Sequence, residues 1–377
     1  MPVSTCHHLS LRLVAAVFLT AAAGPLHAAT VTGLYEARVP VTDQSSAARS
    51  AALQQAFTTV LVKVTGLRAV PAPLTALAAD ALDYAQQYGF EQAPPDPNAP
   101  PATAPQPPAL VLWARFDPRK VNDAVTSAHA PLWGAERPTT LVWLALGDTP
   151  GGRVLSASDT SNLMQALVTA AQQRGIILVF PQMDAVDRAA LGVPDVTGFN
   201  AGRIQLASQR YHPDAVLVGS VTSFGNGQYA AHWQLLDGNE QQAWQTPPGD
   251  EVVTAVDGVE VSADRYAIQY AIPADAGDIS GVPLAVQGVT SLDIYAKVLA
   301  YLNGLTPVRG VRVQRMQQGS AYFSVDAYGT LDNLRSALAL GGLLVPMDAA
   351  TSPATAAPPG GGSVATQPML YRYNPGP

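Results

Sequence analysis

The chain has 377 residues, of which 48% are hydrophobic and 13% charged, and its formal net charge is −7. The acidic balance argues against nucleic acid, which requires a basic face, so we expect no nucleic-acid partner. Cys6 is the only cysteine and lies near the start, which excludes disulfides, thiolate metal sites and a cysteine nucleophile from the rest of the chain.

The first 28 residues have the pattern of a secretory signal peptide. Arg12 lies in a short polar start, an apolar run from Leu13 to Ala23 follows, and a small-residue exit ends at Ala28. The run is shorter than the roughly 20 apolar residues that span a bilayer, so we expect no transmembrane anchor. The pattern therefore predicts cleavage near Ala28 and a soluble protein of the periplasm.

The rest of the chain divides into three α/β modules, which is the fold class that we predict. An N-terminal module covers 29–137 and carries a Pro-rich insertion at 91–108. A middle module covers 138–275 and a C-terminal module covers 276–347. The tail, 348–377, is rich in Ala, Pro and Gly, so we expect it to be disordered.

In the N-terminal module, apolar residues at helical spacing and clear end signals predict the first helix. Asp43, Ser45 or Ser46 can cap its start, and Gly66 suits the left-handed position after its end. The predicted elements are a strand at 30–41, a helix from about 44 to 65, a helix at 74–88, a strand at 109–116 and a helix starting at Asp117-Pro118.

In the middle module, strands and helices alternate, and the first strand, Thr139–Leu146, is apolar throughout. Strands without alternation are typically buried on both faces, as in a parallel sheet between helices. Asn226-Gly227 and Asp237-Gly238 then predict two tight hairpin turns. The module is therefore predicted as a βαβαβ mixed sheet with an antiparallel extension, followed by a helix at 252–270.

The C-terminal module reads as strand, helix, hairpin, helix and strand between 283 and 346. This βαββαβ order is typical of the ferredoxin-like fold, which by itself carries no function. Tyr371-Arg372-Tyr373 near the end of the tail could be a short docking peptide, although an unselected tail is the favoured alternative.

Several motifs occur in order along the chain. They are Ala37–Arg68, Trp133-Gly134 with Arg137-Pro138, Val142–Ala145, Phe180–Asp184 and Asp214–Gly219. With these motifs the chain, from about Val31 to Leu344, resembles the exported bacterial family called domain of unknown function 2066. The family name implies no activity.

The middle module is also similar to the N-terminal module of TolB and to CsgG-like envelope modules. The first module resembles the N-terminal domain of flagellar assembly protein T. These relatives are binding and assembly parts of the cell envelope, so the resemblance implies a class of role but no particular binding residues.

Asp184 and Asp187 follow a buried strand, where open α/β sheets bind ligands. Paired carboxylates can serve as acid and base or hold a cation. The favoured alternative is structural, because Asp184 also suits a helix cap and Asp187 can pair with Arg188 or Arg203.

Trp133 and Arg137 lie where the first module meets the second. We expect them to pack the two modules together, and a partner surface is the alternative. Other chemistry has weaker support. Ser220 is the nearest candidate for a nucleophile, and the histidines His129, His212 and His232 are scattered, so no catalytic residue, metal or cofactor is predicted.

Taken together, these patterns favour a non-enzymatic binding or scaffold protein that acts in cell-envelope assembly with a protein partner. One alternative is a periplasmic carrier of a small or lipidic ligand in a cleft between modules. The other is a hydrolase that uses Asp184, Asp187 or Ser220. The sequence leaves the partner, the ligand and the oligomeric state open.

Overall fold

The computed structural model describes residues 31–93, 109–147, 151–238, 240–347 and 368–375. These residues form three β-sheets with helices packed on them, which confirms the predicted multi-module α/β class. The predicted signal peptide, most of the Pro-rich insertion and most of the tail lie outside the described residues. None of the described helices is long and apolar enough to cross a membrane.

The first sheet has three antiparallel strands in the order β1-β3-β2, with α1 packed against it. Ser45 caps α1 by accepting a hydrogen bond from the amide of Ala48, and Gly66 ends it with a φ of 71°. The elements are β1 (Glu36–Val41), α1 (Ser46–Thr65), α2 (Ala72–Ala76), α3 (Ala81–Tyr84), β2 (Ala85–Gln92), β3 (Leu110–Phe116) and α4 (Pro118–Ser127).

The predicted helix at 74–88 is wrong beyond Tyr84. Two short helices joined by a 3₁₀ turn end there, and the chain continues as β2, which pairs with β3 along its whole length. Strand propensity depends on the neighbouring strand, and β3 supplies an apolar neighbour that the local sequence does not contain. Gly89 lets β2 approach closely, because a Cβ there would lie 2.9 Å from the indole nitrogen of Trp113.

The second sheet has six strands in the order β5-β4-β7-β8-β9, and β6 also pairs with β4. β4 is parallel to β6 and β7, and the two following hairpins are antiparallel, so the predicted mixed sheet is confirmed. Its elements are β4 (Thr139–Leu146), β5 (Arg153–Val154), α5 (Asn162–Arg174), β6 (Ile177–Val179), α6 (Ala185–Ala190), α7 (Val193–Thr197), α8 (Ala201–Ser208), a 3₁₀ turn (Gln209–Tyr211), β7 (Ala215–Gly225), β8 (Gln228–Asp237), β9 (Glu240–Gly249) and α9 (Glu251–Tyr270).

Helices cover both faces of the centre of this sheet. α5 and α9 pack on one face, and α6, α7 and α8 pack on the other. All eight residues of β4 are buried as a result, as its unbroken apolar sequence predicts.

The third sheet has five strands in the order β11-β12-β10-β14-β13. Its elements are β10 (Asp278–Gln287), α10 (Leu292–Gly304), β11 (Val308–Gln317), β12 (Ser320–Tyr328), α11 (Leu331–Leu340), β13 (Leu344–Pro346) and β14 (Met369–Tyr373).

The prediction of a disordered tail is wrong for Met369–Tyr373. This segment is β14, which lies parallel to β10 and antiparallel to β13 and so separates these two strands. The reason is its alternation: Met369, Tyr371 and Tyr373 all pack on the core of the C-terminal module, and Tyr371 is 5% exposed. Alternation over five residues is sufficient for a strand when two partners already exist.

Candidate functional site

The segment 130–138 joins the modules and contacts all three. The amide of Trp133 donates to the carbonyl of Val64 in α1 at 2.7 Å. Leu132 and Ile272 exchange backbone hydrogen bonds of 3.0 and 2.8 Å, and the amide of Ala135 donates to the Thr306 hydroxyl at 3.3 Å. The segment is therefore the structural junction of the molecule.

Arg137 lies at the centre of this junction with no exposed surface. Its guanidinium donates five hydrogen bonds to backbone carbonyls: to Gly134 at 2.8 Å, Arg174 at 3.0 Å, Gly175 at 2.9 Å, Lys63 at 2.6 Å and Trp133 at 3.0 Å. Three of these carbonyls belong to the C-terminal ends of α1 and α5, where a positive charge is favoured by the helix dipoles. Burial lowers the pKa of Arg137, and the carbonyl oxygens offset that cost.

A second buried arginine extends the junction to α9. Arg174 donates to Glu260 at 2.6 Å, to Asp264 at 2.7 Å and to the carbonyl of Gly66 at 2.7 Å. Arg68 reaches Asp264 as well, at 2.6 Å. The ends of α1 and α5 are thus tied to one side of α9 by charge-assisted hydrogen bonds.

The candidate residues Trp133 and Arg137 are both buried in this junction. Trp133 is 1% exposed, and the Arg137 guanidinium carbon lies 3.7 Å from the centroid of its ring. Neither side chain is accessible to a partner. Their position is the one expected if they pack the two modules together, and it differs from that of a partner surface, which was the alternative.

Asp184 and Asp187 lie close together, as expected, and the guanidinium of Arg210 donates hydrogen bonds to both. Arg210 donates to Asp184 at 2.9 Å through each of its terminal nitrogens and to Asp187 at 2.8 Å. Asp184 also caps α6 by accepting from the amides of Val186 and Asp187. The Arg210 guanidinium holds the pKa of Asp184 well below its usual range, so this carboxylate is ionised.

Asp187 is buried, and both of its carboxylate oxygens accept hydrogen bonds. The Tyr211 hydroxyl donates to it at 2.5 Å, and the amide of Met183 donates to it at 2.8 Å. The predicted partners were wrong: Arg203 pairs with Asp195, and Arg188 donates to a backbone carbonyl. Arg210 lies 23 residues beyond Asp187 in a 3₁₀ turn, and only the fold brings the two together. These contacts favour a structural role for both carboxylates.

A groove of about 330 Å³ lies where β8 and β9 extend beyond α6–α8. Phe199 forms one side, and the floor is the face of the two strands that carries His232, Gln234, Ala243 and Gln245. Its polar side chains are uncharged amides and one imidazole. Sequence reasoning missed this site, although the Gln-rich stretch at 241–245 is its signal.

Three residues that line the groove have a buried polar atom with no hydrogen-bond partner among the described residues: Gln234 (Oε1), Trp233 and Trp244 (both the indole nitrogen). Gln234 Oε1 is buried and accepts no hydrogen bond from any described residue. Its amide nitrogen donates a long hydrogen bond of 3.4 Å to Gln241. β9 is moreover the edge of its sheet, and among the described strands it pairs with β8 only. The groove therefore lies beside a free backbone edge, with unpaired polar atoms buried in its lining.

Ser220 and His232 are cross-strand neighbours at the margin of this groove. The register places Ser220 opposite His232, and His232 opposite Gln245. Ser220 is 8% exposed. His129 and His212 lie elsewhere, in loops with positive φ. No group of three metal-ligating side chains occurs in the described part of the chain.

A small cavity lies between the modules beside the junction. Its volume is about 20 Å³, and Trp133, Glu136, Ile272 and Thr306 are among the residues that line it. A space of this size holds a water molecule but no lipid or metabolite.

Comparison with known proteins gives one family match. A model described as a domain of unknown function (DUF8605) matches residues 28–134, which is the first module. No curated protein matches the chain. The resemblance to family 2066 and that to TolB and CsgG-like modules stay predictions.

Among solved structures, a competence or damage-inducible protein from Enterobacter asburiae matches with 13% sequence identity and a TM-score of 0.20. The match covers 40% of this chain and 91% of that protein. A TM-score this low supports no conclusion about fold or function.

Proposed function

We propose that this protein is a non-enzymatic binding or scaffold protein of the cell envelope and that it binds an extended segment of a partner protein in the groove on β8 and β9. The groove itself, which has room for a peptide segment and lies next to the unpaired edge of β9, is the observation that carries the proposal. The Gln234 acceptor beneath the groove is buried and unpaired, so a rotation of its side chain toward a bound backbone amide would gain free energy.

The chemistry of the groove fits a polypeptide backbone. Gln234 and Gln245 supply amides that can both donate and accept, and His232 adds a ring nitrogen. A peptide that pairs with β9 would gain main-chain hydrogen bonds along the edge. The groove is lined by no lysine, arginine or carboxylate of the described residues, so recognition there depends mainly on shape and hydrogen bonding.

The strands beneath the groove are held firmly from the opposite face. Trp233 and Trp244 stack there with ring centroids 6.4 Å apart, and Arg265 lies 4.4 Å from the centroid of the Trp244 ring. A rigid binding surface lowers the entropy cost of association. This support favours a preformed site.

The alternatives have less support. A ligand carrier needs a larger enclosed cavity than the 20 Å³ between the modules. A hydrolase based on Asp184 and Asp187 needs a carboxylate free to take or give a proton, whereas Arg210 binds both.

Export to the periplasm is the second part of the proposal, and it is based on the signal-peptide pattern at 1–28. Expression of the full chain in a Gram-negative host, followed by fractionation and N-terminal sequencing, tests it. We expect mature protein in the periplasmic fraction with a new N-terminus at Ala29 or Thr30. Uncleaved protein in the cytoplasm would contradict the export part alone.

Site-specific photocrosslinking tests the groove. A photoreactive amino acid at Ala243, which lines the groove, should give a discrete product in the native host, and the Gln234→Leu substitution should reduce it. The same probe at Ala51, an exposed alanine of α1, is the matched control and should give none. Equal products at both positions, or none at Ala243, would refute binding in the groove.

A further inference from the structure

A second surface with the features of a binding site is the outer strand of the C-terminal sheet, β11. Arg309, Arg312 and Arg315 occur in it at every third position. In a regular strand, alternate residues face opposite sides, so Arg312 would point away from the other two. The pairing of β11 with β12 is shifted in register between Val308 and Gly310, and again after Val313.

These two shifts bring all three arginines to one face of the sheet. Each of them contacts a residue at an even-numbered position of β12, and alternate residues of a strand share a face. The contacts are Arg309 to Tyr328 at 4.8 Å from the ring centroid, Arg312 to Asp326 at 3.0 Å and Arg315 to Tyr322 at 4.2 Å from the ring centroid. β11 therefore carries a row of arginines on the face that α10 and α11 do not cover.

The row retains unneutralised charge. Arg309 is paired with Asp278, and Arg312 is paired with Asp326. Arg315 is exposed, and no carboxylate of the described residues lies within 4 Å of it. Its ring contact holds the guanidinium in place while leaving its hydrogen-bond donors free. An acidic side chain beside β11 would find a preoriented cation.

The opposite face of the same strand is apolar and partly open. Val313 and Met316 pair with Phe323 and Ala321, whose side chains are in the core of the module. Val313 and Met316 are nevertheless 41% and 51% exposed. The strand thus presents cations on one face and apolar surface on the other.

The backbone of β11 is also unpaired on its outer side. β11 is the last strand of its sheet, and among the described strands it pairs with β12 only. Such an edge accepts another strand unless charge prevents it. A second copy of β11 would place arginine against arginine, which is unfavourable across a strand pair.

We propose that β11 is a docking edge for an extended segment of another protein in which acidic and apolar residues alternate. The acidic residues would face Arg312 and Arg315, which lie opposite Ser324 and Tyr322 and are therefore about 7 Å apart along the sheet. The apolar residues would cover Val313 and Met316. The proposal concerns a different module from the groove and is independent of it.

Fluorescence anisotropy of the mature full chain with a labelled peptide tests the proposal. The probe is a blocked octapeptide of alternating Glu and Val, and the control peptide has four Glu followed by four Val. We expect the alternating peptide to bind at least about ten-fold more tightly, since only it can place all its carboxylates on one face. Equal binding of both peptides, or of inorganic polyphosphate, would show simple anion binding and overturn the proposal.

Substitutions locate the site on the strand. Arg312→Gln and Arg315→Gln should each weaken binding roughly two- to five-fold, as expected for exposed charge pairs. Arg335→Gln is the matched control, because Arg335 is an exposed, ion-paired arginine of α11 on the other side of the sheet, and it should change nothing. An equal effect of all three substitutions would overturn the assignment to β11.

Amide hydrogen exchange separates strand addition from loose electrostatic association. The outward amides of β11 should gain protection when the alternating peptide is bound, and those of α11 should not. Binding without this protection would refute pairing with the edge. Self-association of the protein that protects the same amides without peptide would assign the edge to a second copy and also overturn the proposal.

Discussion

Arg137 donates a 2.6 Å hydrogen bond to the carbonyl of Lys63, and through it a single buried side chain connects the end of the first long helix with the middle module. Three of its acceptor carbonyls, those of Lys63, Arg174 and Gly175, lie at helix ends, where carbonyls have no intrahelical donor. The contact between the first and the middle module thus includes a guanidinium that no solvent reaches.

Replacement of Arg137 by Met should destabilise the protein by about 3–5 kcal/mol, because it leaves several buried carbonyls without a donor. Urea unfolding followed by tryptophan fluorescence measures the effect. Arg335→Met, at an exposed ion pair, is the control and should cost less than about 0.5 kcal/mol. A loss below about 1 kcal/mol for Arg137→Met would show that the junction is dispensable.

Two glycines should respond to alanine in opposite directions. Gly66 has a φ of 71°, and a Cβ there would lie 2.4 Å from the Cβ of Ala267, so Gly66→Ala should cost more than about 2 kcal/mol. Gly202 lies in α8 with open space around it, so Gly202→Ala should stabilise the protein by about 0.5–1 kcal/mol. Thermal unfolding of both variants measures the difference. Equal shifts would contradict the close packing at Gly66.

Lys63 should make stability depend on pH in the alkaline range. Burial, together with the nearby Arg137 charge, lowers the pKa of Lys63 from 10.5 to about 8. Between pH 8 and 10.5 the unfolded chain binds the extra proton, so the contribution of Lys63 to stability rises with pH through this window, by no more than about 3 kcal/mol. Below pH 8 Lys63 is protonated in both the folded and the unfolded chain, so this gain in stability is absent.

The chain has three lysines, which makes the pKa of Lys63 directly measurable. In an NMR titration of labelled lysine, Lys63 should titrate near pH 8, whereas the hydrogen bond to Asp293 raises the pKa of Lys297. Urea unfolding at pH 7.5 and 9.5 should show the rise in the wild type but not in Lys63→Met. Titration of Lys63 above pH 10 would contradict its burial.

The end of the tail should contribute to the stability of the C-terminal module. Tyr371 is buried between β10 and β13, so Tyr371→Ala should cost about 3 kcal/mol. Arg372 points to the opposite face and is exposed, so Arg372→Ala should be nearly neutral. Hydrogen exchange of the β10 amides reports the effect, and unchanged protection in Tyr371→Ala would show that β14 does not pair there.

Local signals in the sequence correctly predicted most helices and strands. Ser45 lies at the start of α1 and Gly66 at its end. The apolar run of Thr139–Leu146 is a strand buried on both faces, and Asn226-Gly227 forms a hairpin turn. These features depend on residues that are neighbours in the chain, which is why periodicity and capping chemistry were sufficient to find them.

The predictions failed where the partner is distant. Ala85–Gln92 is a strand because β3 lies beside it, and Met369–Tyr373 is a strand because β10 and β13 leave a place between them. The sequence predicted Asp184 and Asp187 as a pair, but it did not predict Arg210, which forms salt bridges with both. Side chains of this kind have no local pattern that identifies their partner.

The sequence by itself therefore determined the class of fold, the order of most elements and the residues at which helices begin and end, since these follow from short-range hydrogen bonding and apolar periodicity. Only the tertiary structure decided that Arg137 is fully buried, that Gln234 lines a groove with its acceptor buried and unpaired, and that three arginines share one face of β11. Burial, strand register and long-range pairing are properties of the packed chain, and they follow from contacts between residues far apart in sequence.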